Sequence, residues 1–243
     1  MKYMGSKARI AKEILPIILA SRTSDQWYVE PFCGGCNTMD KVEGLRIAAD
    51  TNKYLIALYK ELQRNWVPPT LSKAEYSAIR KEPRSFPGYL TGWAAFGASY
   101  CGKYFGGYAG VVQTKDGPRD YQAEAKKNVL SQIKKLNDVR FVCSGYDGLS
   151  VPPNSIIYCD PPYEGTTGYA NDFNHNAFWD WARKMGQEGH SVFVSEYSAP
   201  DDFDCVWSKA VKSSLSANGV CGGNKESVER LFKPRPTGEG GKV

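Results

Sequence analysis

Four prolines in the middle of the chain, Pro68, Pro69, Pro83 and Pro87, limit its fold more than any other feature. Proline donates no backbone N–H and pushes the residue before it out of the helical region. No regular strand–helix alternation therefore passes through "NWVPPTLSKAEY" and "KEPRSFPGYLTGW". On either side it does. Upstream, "QWYVE" reads as a short strand running into a glycine loop, "CNTMDKVEGL" as a helix, "RIAAD" as a strand ending on Asp50, and "NKYLIALYKELQ" as a helix. Downstream, "VRFVCSGY", "SIIYCD" and "SVFVSEY" read as strands, with "AFWDWARKMGQEG" a helix between the last two and shorter strands around Val206–Val211 and Val228–Phe232. The N-terminal "GSKARIAKEILPIIL" predicts a helix capped by Ser6 and interrupted or ended near Pro16. Two parts of one α/β sheet thus flank an inserted block.

Charge sharpens that division. The net charge is +5, and residues 61–140 hold 13 Lys and Arg against 7 Asp and Glu, so all the excess positive charge lies in the middle third. Such a block suits contact with phosphates. It also suits ordinary solvated lysines, since "KKNVLSQIKKL" reads as an amphipathic helix. With 42% hydrophobic residues in 243, the chain can bury a full core. The longest apolar stretch, "ILPIILA", falls short of the roughly 20 residues that span a bilayer, and no signal peptide is readable. Seven scattered cysteines fit reduced thiols, so a cytoplasmic protein is expected. Cys33 and Cys36 have no second such pair, and His175 and His190 lie far apart, so no metal site is expected. Both histidines are read as solvated loop or helix-end residues.

Three strand ends carry chemistry, and in open α/β sheets ligands sit outside the carboxyl ends of the strands. "EPFCGG" after the first strand lets a ligand approach the backbone closely, or is simply a tight turn. Asp50, 16 residues after Gly34, suits a pair of ribose hydroxyls, or caps the following helix. The third is Asp160-Pro161-Pro162-Tyr163, where two prolines stiffen the chain behind a carboxylate and an aromatic plane follows. Preorganised acceptors beside a flat ring suit the exocyclic amino group of a nucleobase.

These stretches together resemble a known family. "DPPY" at 160–163, "VEPFCGG" at 29–35, "YMGSK" at 3–7 and "SLSANG" at 214–219 are similar to the motifs of DNA adenine-N6 methyltransferases of the Dam type, and stand in that family's order. The resemblance implies an α/β, Rossmann-like sheet dependent on S-adenosyl-L-methionine. The catalytic domain would be discontinuous, residues 1–61 and 140–234, with a mostly helical target-recognition insertion at 62–139 and a disordered tail at 235–243. It implies double-stranded DNA as partner, no membrane, and a chain able to act as a monomer. Carried over residue by residue, Tyr3, Lys7, Phe32, Gly34, Asp50 and Asp160 would bind the cofactor. Asp160, Pro161 and Tyr163 would act on the adenine. In "GKYFGGYAG" the likeness is loose: Lys103, Tyr104, Phe105 and Tyr108 would touch DNA, or be packing aromatics of a glycine-rich hairpin. Ser195, Glu196 and Tyr197 receive no role.

Overall fold

The computed structural model describes residues 1–164, 173–212 and 226–235. Six α-helices and nine strands are drawn from them: α1 (Ala11–Ile18), β1 (Tyr28–Glu30), β2 (Arg46–Asp50), α2 (Lys53–Gln63), α3 (Lys73–Lys81), α4 (Gly88–Gly92), β3 (Val111–Thr114), β4 (Gly117–Asp120), α5 (Tyr121–Ile133), β5 (Val139–Cys143), β6 (Ile156–Cys159), α6 (His175–Gln187), β7 (Ser191–Glu196), β8 (Phe203–Lys212) and β9 (Glu226–Pro234). Seven strands form one mostly parallel sheet in the order β5-β2-β1-β6-β7-β9-β8, and β3 and β4 form a separate antiparallel ribbon. This is the expected mixed α/β, Rossmann-like class. The chain divides into two compact units, residues 1–15 with 31–149, and residues 16–30 with 150–243.

In the first unit β2 and β5 pair in parallel from Arg46↔Val139 to Asp50↔Cys143. The strand "RIAAD" has no period-2 alternation because its first four residues are all buried, as a parallel strand requires. The helix α2 starts where Asn52 accepts hydrogen bonds from the N–H groups of Tyr54 and Leu55, a cap worth about 1 kcal/mol. Its apolar face buries Leu55, Leu58, Tyr59 and Leu62, and Tyr59 stacks on Phe141 of β5 at 4.8 Å. The proline-bearing block is not irregular throughout. Ser72 and Glu75 close a reciprocal capping box that starts α3, and α4 runs into a π-helical turn, Trp93–Gly97. There Trp93 is fully buried and its indole N–H donates to the Pro69 carbonyl at 2.8 Å.

In the second unit β1, β6 and β7 run parallel, with Tyr28↔Ile156 and Ile156↔Ser191 in register. Strand β9 then pairs antiparallel with both β7 and β8. The helix α6 begins at the Asn174 cap and buries Phe178, Trp179, Ala182 and Met185.

Several expectations need correcting. "CNTMDKVEGL" forms only a single 3-10 turn, Met39–Lys41: Cys36 before it has φ +53 and Val42 after it is already extended, so its buried apolar residues are not carried on a longer helix. Ser6 caps a separate 3-10 turn, Lys7–Arg9, rather than the helix; α1 starts at Ala11, holds Pro16 inside it and ends near it, at Ile18, as expected. The last two strands are longer than expected, since pairing with each other carries both past their apolar centres. His190 is not merely solvated: its Nδ1 accepts the Ser155 N–H at 3.1 Å, and burial lowers its pKa. Among the described residues no helix is long and apolar enough to cross a membrane. "SLSANG" and the tail beyond Arg235 lie outside the described residues.

Candidate active site

In the first unit the glycine loop leaves β1 and is held against β2. The Cys33 N–H donates to the Ala49 carbonyl at 2.8 Å, and Tyr59 Oη donates to the Gly34 carbonyl at 3.0 Å. Gly34 has φ +43, a left-handed value that suits glycine, and a Cβ there would lie 2.7 Å from a ring carbon of Tyr3. Tyr3 in turn stacks on Phe96 at 5.5 Å. Beside the loop, Asp50 Oδ2 accepts the Gly34 N–H at 3.2 Å and Oδ1 accepts the Asn52 N–H at 2.8 Å. Asn52, not Asp50, therefore caps α2. Burial raises the Asp50 pKa, and the two N–H donors oppose that rise. Each carboxylate oxygen keeps a second lone pair for an incoming hydroxyl.

Phe32 lies 5.7 Å from Tyr146, ring to ring, at the same loop. Lys7 Nζ donates to the Gly5 carbonyl at 3.2 Å, within the turn that leads into the Ser6-capped first helical residues. The structure thus brings Tyr3, Gly34 and Asp50 into one connected set, with Phe32 two residues before Gly34 in the loop. These residues fit S-adenosylmethionine: a fixed carboxylate and the aromatic faces of Tyr3 and Phe32 stand at one tight loop, whose glycine positions are packed by Tyr3.

In the second unit the tip of β6 is acidic. Asp160 follows the fully buried Ile157, Tyr158 and Cys159, so its position is set by a strand that cannot slip without exposing them. Tyr158 shares a 2.8 Å hydrogen bond with Ser195 of β7, and Tyr28 donates to Glu30 at 2.8 Å on β1. Burial, reinforced by the charge of Asp160, raises the pKa of Tyr158, Cys159 and Tyr163, keeping all three protonated. Glu196, at the end of β7, accepts N–H donors from Tyr197 at 2.8 Å and from Glu164 at 3.3 Å. Burial pushes its pKa up to about 7, the two donors pull it down, and the charges of Asp160 and Glu164 add to the rise. Carboxylates from β1, β6, β7 and β9 therefore concentrate at one strand tip, a setting that favours a cationic group over a neutral one. Among the described residues no group of His, Cys, Asp and Glu could hold a metal ion.

Tyr163 is not left open on every side. Its hydroxyl donates to Glu229 of β9 at 2.8 Å, and the Tyr197 ring meets it edge-on at 4.6 Å. Glu196, Glu229 and Ser195 went unassigned in the sequence, since nothing in their local pattern separates them from ordinary strand residues. Only the pairing Glu196↔Arg230, which sets β9 beside β7, brings them near the turn. In the inserted block Tyr108 donates to the Leu71 carbonyl at 2.8 Å and packs on Tyr76, while Tyr104 is 41% exposed and Lys103 faces solvent. Phe105 meets Tyr76 edge-on.

The family model for D12 class N6 adenine-specific DNA methyltransferases matches residues 3–90 and 105–212 of this chain. The chain is 24% identical over 239 residues to the type II methyltransferase M.FokI of Planomicrobium okeanokoites, covering 89% of this chain and 35% of that protein. It is 27% identical over 222 residues to the retron Ec67 DNA adenine methylase of Escherichia coli, covering 80% of this chain and 75% of that one. It thus spans about a third of the one relative and three quarters of the other. A solved structure, SMU.472 complexed with SAH, matches 96% of this chain and 54% of its own at a TM-score of 0.38 and 12% identity, too loose a likeness to add to these.

Proposed function

Because the chain belongs to the D12 class N6 adenine-specific DNA methyltransferase family, we propose that it methylates adenine N6 in double-stranded DNA, with S-adenosyl-L-methionine as donor. The observation that carries this reading is the acidic, proline-stiffened corner at the tip of β6. Adenine N6 is a poor nucleophile because its lone pair is delocalised into the ring. Hydrogen bonds from its two N–H groups to the Asp160 carboxylate and the Pro161 carbonyl favour a more tetrahedral nitrogen and free that lone pair. When bound, the cofactor supplies a methyl group on a sulfonium, already a good leaving group, so positioning and electrostatics provide much of the acceleration. The carboxylates of Asp160, Glu30, Glu196 and Glu229 complement that positive charge.

The remaining roles follow from the same reading. Asp50 takes the ribose hydroxyls, Gly34 and Phe32 line the cofactor loop, and Tyr3 and Lys7 hold the cofactor from the N-terminal turn. Tyr163 stacks on the extruded base and offsets part of the few kcal/mol lost when it leaves the duplex stack. Residues 1–61 and 140–234 form the catalytic domain, and the basic block at 62–139 meets DNA, with Lys103 on phosphate and the exposed Tyr104 beside bases, while Tyr108 packs within the block. The proposed setting is the cytoplasm, with a chain able to act as a monomer.

Incubation with DNA and methyl-labelled cofactor, followed by digestion to nucleosides, tests the reaction. Label in N6-methyl-2′-deoxyadenosine is expected, and label confined to methylated deoxycytidine defeats the base assignment.

A further inference from the structure

Tyr163 ends the Asp160 turn, yet the groups that fix its ring stand outside that turn. Its phenol is joined to the backbone by two rotatable bonds, so without partners the ring plane would be free to swing. Two contacts remove that freedom. The hydroxyl donates to Glu229 Oε2 at 2.8 Å, a charge-assisted bond of the stronger kind. The Tyr197 ring sits edge-on at 4.6 Å and 81°.

Glu229 stands on a strand and Tyr197 directly after one. Glu229 lies within β9, where Lys209 of β8 is its register partner, and β9 is hydrogen-bonded on both sides. Tyr197 follows β7 directly, its carbonyl accepts a hydrogen bond from Arg230, and its N–H donates to Glu196. The same Glu196 accepts the Glu164 N–H, so the residue after Tyr163 is tied to the strand that carries Tyr197.

We propose that Glu229 and Tyr197 are positioning residues that hold the plane of Tyr163, and so set the angle at which the extruded adenine presents N6. This rests on the reading that Tyr163 stacks on the target base. In-line transfer tolerates little misplacement, and an error of about 1 Å costs on the order of a hundredfold in rate. A ring free to rock would still bind the base but would present N6 correctly for less of the time. The expected signature is a loss in kcat with little change in KM.

The test uses the full chain and a duplex carrying the site mapped by sequencing methylated adenines. The variants are Tyr163→Ala, Tyr163→Phe, Glu229→Ala, Glu229→Gln and the double variant Tyr163→Phe/Glu229→Ala. Thermal melting and cofactor binding check the fold. Tyr163→Phe and Glu229→Ala should each lower kcat about tenfold with KM for DNA within about twofold, and the double variant should be no worse than either. Glu229→Gln, which keeps an acceptor oxygen, should recover most of the rate. With 2-aminopurine at the target position, Tyr163→Phe and Glu229→Ala should give brighter bound duplex than the unaltered protein, since looser stacking quenches less. Independent, additive losses, or an unchanged kcat in Tyr163→Phe, overturn the clamp. If Tyr163→Ala keeps full activity, base stacking by Tyr163 is wrong and the clamp falls with it. If Tyr163→Ala is inactive while Tyr163→Phe and Glu229→Ala are normal, only the clamp is wrong.

Discussion

The glycine loop beside Asp50 and the acidic corner at Asp160 are both strand-end sites, yet they are built from opposite materials. The first is held by main-chain donors. Gly34 and Asn52 give their N–H groups to Asp50, and the loop carbonyl takes the Tyr59 hydroxyl. The second concentrates carboxylates, Glu30, Asp160, Glu196 and Glu229, among buried phenols whose protons it retains. A site framed by backbone suits neutral polar groups recognised by shape, as ribose hydroxyls are. A site framed by buried acids suits positive charge and amino donors. On the proposed reading, the first binds the cofactor and the second carries the chemistry.

Substitutions that strike one region and spare the other test that division. Asp160→Ala should lower kcat two to three orders of magnitude in the methyl-transfer assay, while calorimetric cofactor binding, to which Asp160 adds only part of the negative charge, falls far less. Equal damage to both quantities breaks the contrast. Asp50→Ala leaves the Gly34 and Asn52 N–H groups without their acceptor, and should weaken cofactor binding about tenfold to a hundredfold by calorimetry with kcat at saturation nearly retained.

A pH series sharpens it. The folded Glu196 pKa of about 7 lies above its ordinary 4.5, so the unfolded chain gives up this proton first. Stability supplied by protonated Glu196 is present at low pH and is lost as pH rises from about 4.5 to 7. Glu196→Gln should flatten denaturant-derived stability across that window by roughly 2 kcal/mol, after discounting for solvent screening. Asp50→Asn should act in the same direction, since burial raises that carboxyl's pKa too. At Gly34, an alanine meets both φ +43 and the Tyr3 ring at 2.7 Å, and should cost about 1–2 kcal/mol in thermal stability. The smallest effect belongs to the inserted block: Lys103→Ala should reduce the slope of log affinity against log salt by about one, with kcat unchanged.

Much of the sheet was legible in advance. Buried parallel strands such as "RIAAD" and "IIYC" announce themselves as apolar runs, and each ends in a residue that cannot continue inward, Asp50 or Asp160. Helices α2, α5 and α6 were readable from their apolar spacing, but their caps were not. Where backbone geometry or strand pairing decided, the reading failed: Cys36 takes φ +53 ahead of the single turn in "CNTMDKVEGL", and β8 and β9 owe their length to each other.

By itself the sequence determined the strand ends, the glycine loop, the proline-stiffened acidic turn and the location of excess positive charge, because each rests on backbone chemistry confined to a few consecutive residues. Only the tertiary structure decided that Asn52 caps α2 and so leaves Asp50 to the glycine loop. It also decided that Glu229, 66 residues beyond Tyr163, would hold the tyrosine's hydroxyl. A partner reached across an antiparallel strand has no fixed spacing in the chain, so no local pattern encodes it.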